Sequence, residues 1–132
     1  MKYTIDTHAL IWYLEGNNRL SPAVAAILAN PASELILPAI ALAEALWITE
    51  RGKTSIPSAQ SLLTAVIADP RIAIVPLDEA VVAQTLNLTA INEMHDRQIV
   101  ATAIVAQTQG NQVALLTCDQ NITASGTIAI LW

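Results

Sequence analysis

Asp6, Glu44, Asp96 and Asp119 are acidic residues placed where the sequence predicts strand ends or helix turns, and together they point to one kind of chemistry. Three lie in distinctive local settings: Tyr3-Thr4-Ile5-Asp6-Thr7-His8, His95-Asp96-Arg97-Gln98-Ile99-Val100-Ala101-Thr102-Ala103 and Leu116-Thr117-Cys118-Asp119. Glu44 instead interrupts an apolar helical stretch, where its neighbours three and four positions away are Ile40, Ala41, Trp47 and Ile48. Two unit charges about 4 Å apart repel by roughly 4 kcal/mol at an effective dielectric of about 20, so carboxylates gathered from distant segments need protons or cations among them. Hard oxygen donors with no soft ones select Mg²⁺ or Mn²⁺ over zinc. The expectation is a divalent-metal site.

Each of these residues also has a plainer reading. Asp6 suits a turn after a strand, Asp96 the first turn of a helix beside Arg97, and Asp119 an Asx turn with Asn121 nearby. Asp78 and Glu79 read as a helix start, while Glu93, three residues before Asp96, is a candidate to join the acidic group. His8 and His95 lack metal-ligand spacing and have no cysteine or second histidine beside them, so His95 is read as tuning or capping its surroundings. Cys118 is the only cysteine, which excludes an internal disulfide and reads as a small buried hydrophobe. Trp12, Trp47 and Trp132 are read as core or interface packing rather than base stacking.

The elements that must position these groups alternate in type. Strands are expected at residues 2–5, 34–37, 72–75, 113–116 and 128–131. Helices are expected at about 8–14, 22–30, 39–51, 57–69, 78–91 and 94–109, with Ser21-Pro22 as an opening and Pro31, Gly52 and Pro70 as stops. Strands alternating with helices imply crossover connections, hence an α/β fold with a parallel sheet covered by helices on both faces. Ligands of such sheets sit beyond the carboxyl ends of the strands. Asp6 and Asp119 share that edge if the first and fourth strands are neighbours, and Asp96 faces it from its helix start.

The chain has 132 residues, 54% of them hydrophobic, which suits one domain with one core. No repeat or low-complexity tract supports a second domain. No apolar run approaches the 18 or so residues of a membrane span, and no basic-then-apolar leader opens the chain, so a soluble cytoplasmic protein is expected. A net charge of −5 is the reverse of a strong stand-alone nucleic-acid binder. A divalent cation in an acidic site would reverse the local sign, so a phosphodiester substrate stays open. Little polar surface for so small a domain also points to a partner covering part of it.

The order of these motifs, Asp at the first strand end, Glu in a mid-chain helix, Asp in an Asp-Arg-x-Ile-Val-Ala-Thr-Ala helix start and Asp after Leu-Leu-Thr-x, resembles the PIN-domain nucleases, most of all the VapC-type toxins of bacterial toxin-antitoxin pairs. The resemblance spans nearly the whole chain, with the late motif the most specific. It implies a single PIN domain over 1–132, an αβα sandwich with a central parallel sheet, and a Mg²⁺- or Mn²⁺-dependent ribonuclease. It further implies an RNA substrate, a small antitoxin partner and a homodimer. By position, Asp6, Glu44, Asp96 and Asp119 become the acidic tetrad and metal ligands, and Thr117 a hydroxyl that orients Asp119 or a water. The chain departs from the family's pattern in carrying Cys118 where serine is frequent, and in its few basic residues. Two other readings remain: a catalytically weak or idle PIN-fold protein-binding module, and a Mg²⁺-binding receiver-like signalling domain. The second wants paired acids at the first strand end and a lysine at the last, whereas the only lysines are Lys2 and Lys53.

Overall fold

The computed structural model describes residues 1–132. Its centre is a five-stranded, wholly parallel sheet in the order β3-β2-β1-β4-β5, built from β1 (Lys2–Ile5), β2 (Glu34–Pro38), β3 (Ile72–Val75), β4 (Val113–Leu116) and β5 (Ile130–Leu131). Around it pack α1 (Thr7–Glu15), α2 (Pro22–Ala29), α3 (Ala39–Glu50), α4 (Ala59–Ala68), α5 (Glu79–Thr85), α6 (Met94–Thr108) and α7 (Gln120–Ser125). This is the α/β sandwich that the alternation of strands and helices requires.

Strand burial follows sheet position. Leu35, Ile36 and Leu37 of β2 and Val113 to Leu116 of β4 are all buried, as expected of strands covered on both faces. At the β3 edge, Ala73 and Ile74 are exposed. Arg71, just before β3, ties that edge down: it chelates Asp69, with one contact at 2.8 Å, and donates to the carbonyls of Leu28 and Asn30 that end α2. This pairing holds the Asp69 carboxyl below its ordinary pKa.

Chain direction changes at the middle of the sheet. From β1 the chain builds outward through β2 to β3, then returns to add β4 on the other side of β1. The register Ile5↔Leu116 brings the carboxyl ends of β1 and β4 level, so the residues that follow, Asp6 and Thr117, emerge side by side at the switch in strand order.

Some expected elements differ. The helix expected over 78–91 stops at Thr85, where the chain enters tight turns, with Leu88 N–H bonded to the Thr85 carbonyl and Ile91 N–H to that of Leu88. Arg97 then captures the Ile91 carbonyl through its Nε, anchoring a non-helical bend that leaves Leu86 exposed and Ile91 buried. The last strand, expected over 128–131, pairs only at Ile130 and Leu131, and its ladder begins with Leu115 N–H bonded to the Ala129 carbonyl. Helix α7 was not expected. Asp119 caps it through Ile122 N–H at 3.0 Å, and Gly126, at φ 63°, closes it in the left-handed conformation that favours glycine.

Leu115, with no exposed surface, fills the centre of β4. Leu115→Ala is expected to lower the unfolding free energy by about 2–5 kcal/mol, read by urea denaturation.

Candidate active site

Three helix starts meet at the carboxyl edge of the sheet, and each brings an acid. Asp6 caps α1, its Oδ1 accepting from Thr7 N–H at 2.7 Å. Glu93 caps α6, accepting from Asp96 N–H at 2.8 Å. Asp119 caps α7. The exposed amides and the partial positive charge of a helix start favour a carboxylate there. Asp96 stands in the first turn of α6, and Glu44 reaches the same place from the middle of α3.

With these acids, His8, Trp12 and Cys118 line an open cleft of about 400 Å³. All four acids proposed from the sequence are therefore brought together, and Glu93 joins them. Thr117 lies beneath, buried, and links two of them. Its hydroxyl donates to Asp6 Oδ2 at 2.5 Å and accepts from Asp119 N–H at 3.1 Å. His95 stands between two other acids, its Nδ1 3.2 Å from Glu44 Oε2 and 3.8 Å from Glu93 Oε1.

The electrostatics record the convergence. The Asp96 carboxyl is pushed up to about 7, first by burial and then by the charges of Asp119, Glu93, Asp6 and Glu44. None of the protein's side chains or amides donates to its oxygens. Asp6 is raised as well, chiefly by burial, against the opposing hydrogen bonds from Thr117 and Thr7. The donors are hard oxygens, which suits Mg²⁺ or Mn²⁺ in kind. No three His, Cys, Asp or Glu side chains stand as a ready-made cage, so ligation by several of them requires their side chains to turn inward.

One expectation about a single residue is corrected. Cys118 is exposed rather than buried, because the chain leaves β4 at Leu116 and only Thr117 points back into the core. Partial burial and the nearby Asp6 and Asp119 charges raise its thiol pKa, the direction that disfavours the thiolate. Trp47 is 56% exposed, with Arg51 stacked on its ring, Cζ 3.2 Å from the centroid. Trp12 packs on the core but also lines the cleft. Its place one helical turn after His8 was a signal for this that sequence reasoning left unused.

Comparison with family models matches residues 3–125 to the PIN domain. Among solved structures, similar folds occur in VapBC2 from Rickettsia felis bound to a DNA fragment from their promoter, with TM-score 0.71 and 17% identity over 100% of this chain and 99% of that one. FitAcB from Neisseria gonorrhoeae gives TM-score 0.67 and 20% identity over 98% and 96%. The Mycobacterium tuberculosis VapC20, a Sarcin-Ricin loop cleaving toxin, gives TM-score 0.68 and 14% identity over 95% of each chain. At these identities the likeness is one of fold. No curated protein matches the sequence.

The raised Asp96 pKa has a definite sign. Between the ordinary value of 3.8 and about 7, the metal-free folded chain holds a proton that the unfolded chain has released, so this group's contribution to stability falls as pH rises through that window. Asp96→Asn removes the effect. Urea midpoints taken without divalent metal are expected to favour the variant over the wild type by a margin that grows from about pH 4 to 7 and then levels; a constant margin contradicts the clustering.

Proposed function

Because this chain belongs to the PIN domain family, we propose that it is a Mg²⁺- or Mn²⁺-dependent endoribonuclease, a single domain over residues 1–132, and the toxin of a toxin-antitoxin pair. The observation that carries this reading is the shared cleft, lined by Asp6, Glu44, Glu93, Asp96 and Asp119. Membership in the family removes the ground for the receiver-like alternative. The toxin assignment takes support from the VapBC2 and FitAcB likenesses, and the RNA substrate from the VapC20 that cleaves the Sarcin-Ricin loop.

Asp6, Glu44, Asp96 and Asp119 are the proposed metal ligands and catalytic acids. A divalent cation supplies neutralisation of the phosphate and promotes ionisation of water. The chain's own residues set the geometry. Thr117 fixes the Asp6 carboxylate through its hydroxyl and steadies the Asp119 backbone. Asp6 and Asp96, the two acids whose proton affinity is raised by burial and by neighbouring carboxylates, would hold the cation most directly, since its positive charge would offset the repulsion between their ionised forms. Glu44, next to His95, completes the set directly or through water.

An apolar groove of about 490 Å³, formed by Ile40, Ala43, Trp47 and Ile48, runs into Glu44 and His95. It supports a small antitoxin as partner, docked where it covers Glu44. A homodimer and cytoplasmic residence are part of the same proposal. No helix is long and apolar enough to cross a membrane.

Purified protein with RNA and Mn²⁺ tests the reading. Asp6→Asn and Asp96→Asn are each expected to slow cleavage by about 100-fold or more with an unchanged circular dichroism spectrum. Thr117→Val, which removes a group supporting a ligand, is expected to lower activity or Mn²⁺ affinity by about 10–100-fold. Undiminished cleavage by either Asp variant contradicts the assignment.

A further inference from the structure

The chain has six Lys and Arg residues; three arginines are engaged, and the exposed Lys53 lies just past the end of α3. Arg71 is held by Asp69 and two carbonyls, Arg97 by the Ile91 carbonyl, and Arg51 by the Trp47 ring and carbonyl. Lys2 opens β1, at the opposite end of that strand from Asp6. Arg19 differs. It is exposed, its guanidinium forms no ion pair or hydrogen bond within the chain, and its Cζ lies 5.9 Å from the centroid of Trp12, which itself lines the acidic cleft.

Trp12 is also held at a fixed tilt. The edge-on ring of Trp132 lies 5.8 Å from it, and the exposed His8 ring stands 5.6 Å away at 50°. An aromatic ring immobilised beside a cluster of carboxylates, with an unpaired guanidinium against it, has the parts that single-stranded nucleic acid uses: a π surface for a base and a cation for a phosphate. A base-paired strand keeps its base faces stacked within the helix and cannot offer one to the indole.

Building on the nuclease reading, we propose that His8, Trp12 and Arg19 form a shelf that receives an unpaired nucleotide next to the scissile bond, the base against the aromatic rings and the neighbouring phosphate on Arg19. The shelf selects single-stranded RNA by access to the base face rather than by base identity. It also gives a chain of net charge −5 one arginine for the substrate, set against the ring that lines the acidic cleft and close enough to Glu15 to act on its carboxyl.

The test uses the full, unsubstituted chain with Ca²⁺ in place of Mn²⁺, a hard cation that takes oxygen ligands but ionises bound water poorly, and fluorescently labelled RNA as a single strand or a matched duplex, read by anisotropy. The single strand is expected to bind at least about tenfold more tightly than the duplex and to quench indole emission in a Trp47→Phe background. Arg19→Gln and Trp12→Leu are each expected to weaken single-strand binding by about fivefold or more. With Mn²⁺ and cleavage followed, the same two substitutions are expected to raise KM while kcat stays within twofold. Equal binding of duplex and single strand, or affinities within twofold of the parent for both variants, overturns the shelf. Should Trp12→Leu lose its circular dichroism spectrum, Arg19→Gln and the indole quenching decide. Failure of the unmodified protein to cleave any RNA defeats the nuclease reading instead, and the binding measurements still judge the shelf.

Discussion

Mutual repulsion among carboxylates at the carboxyl edge of the sheet is the constraint around which the rest of the molecule is arranged. The parallel pairing of β1 with β4 makes Asp6 and Thr117 neighbours, and the Thr117 hydroxyl locks one acid while supporting the backbone of another. Asp6, Glu93 and Asp119 each sit at a helix start, where amide donors and the helix dipole offset their charge. Asp96 has no such donor, and burial, reinforced by the neighbouring charges, pushes its carboxyl up to about 7. A group in that state exchanges its proton for a cation with little cost, which is how a structural tension becomes a binding site.

The site draws on nearly the whole chain. Helix α3 contributes Glu44 from an otherwise apolar surface, and the same surface continues into the groove around Trp47. On the other side, α1 contributes Asp6 at its start, and His8 and Trp12 from the turns that follow. The acidic cleft thus lies between an apolar groove suited to protein and an aromatic wall suited to a nucleotide. An occupant of the groove large enough to reach Glu44 would act on the proposed metal ligands themselves.

Much of this was legible in the sequence because the strong signals were local. Ser21-Pro22 opens α2 as expected, and the apolar run 113–116 forms a strand as expected. The neighbouring positions of the first and fourth strands placed Asp6 and Asp119 together. Elements specified by tertiary contacts were not legible. Beyond α5 the chain runs through turns to Ile91, whose carbonyl Arg97 captures from α6, and α7 is a short polar helix whose cap, Asp119, also satisfies the pattern of an Asx turn. Cys118 was misjudged because the chain turns outward two residues past the buried β4, after the still-buried Thr117. Trp12 serves core and cleft together, and composition carries no sign of such a double role.

Diffraction from crystals grown with Mn²⁺, collected at a wavelength where manganese scatters anomalously, tests the central claim most directly. The account predicts an anomalous peak in the cleft within ligand distance of Asp6 and Asp96, with Asp119 or Glu44 turned toward it, and loss of that peak in Asp96→Asn. A peak elsewhere on the protein, or none in the cleft at millimolar Mn²⁺, would contradict it.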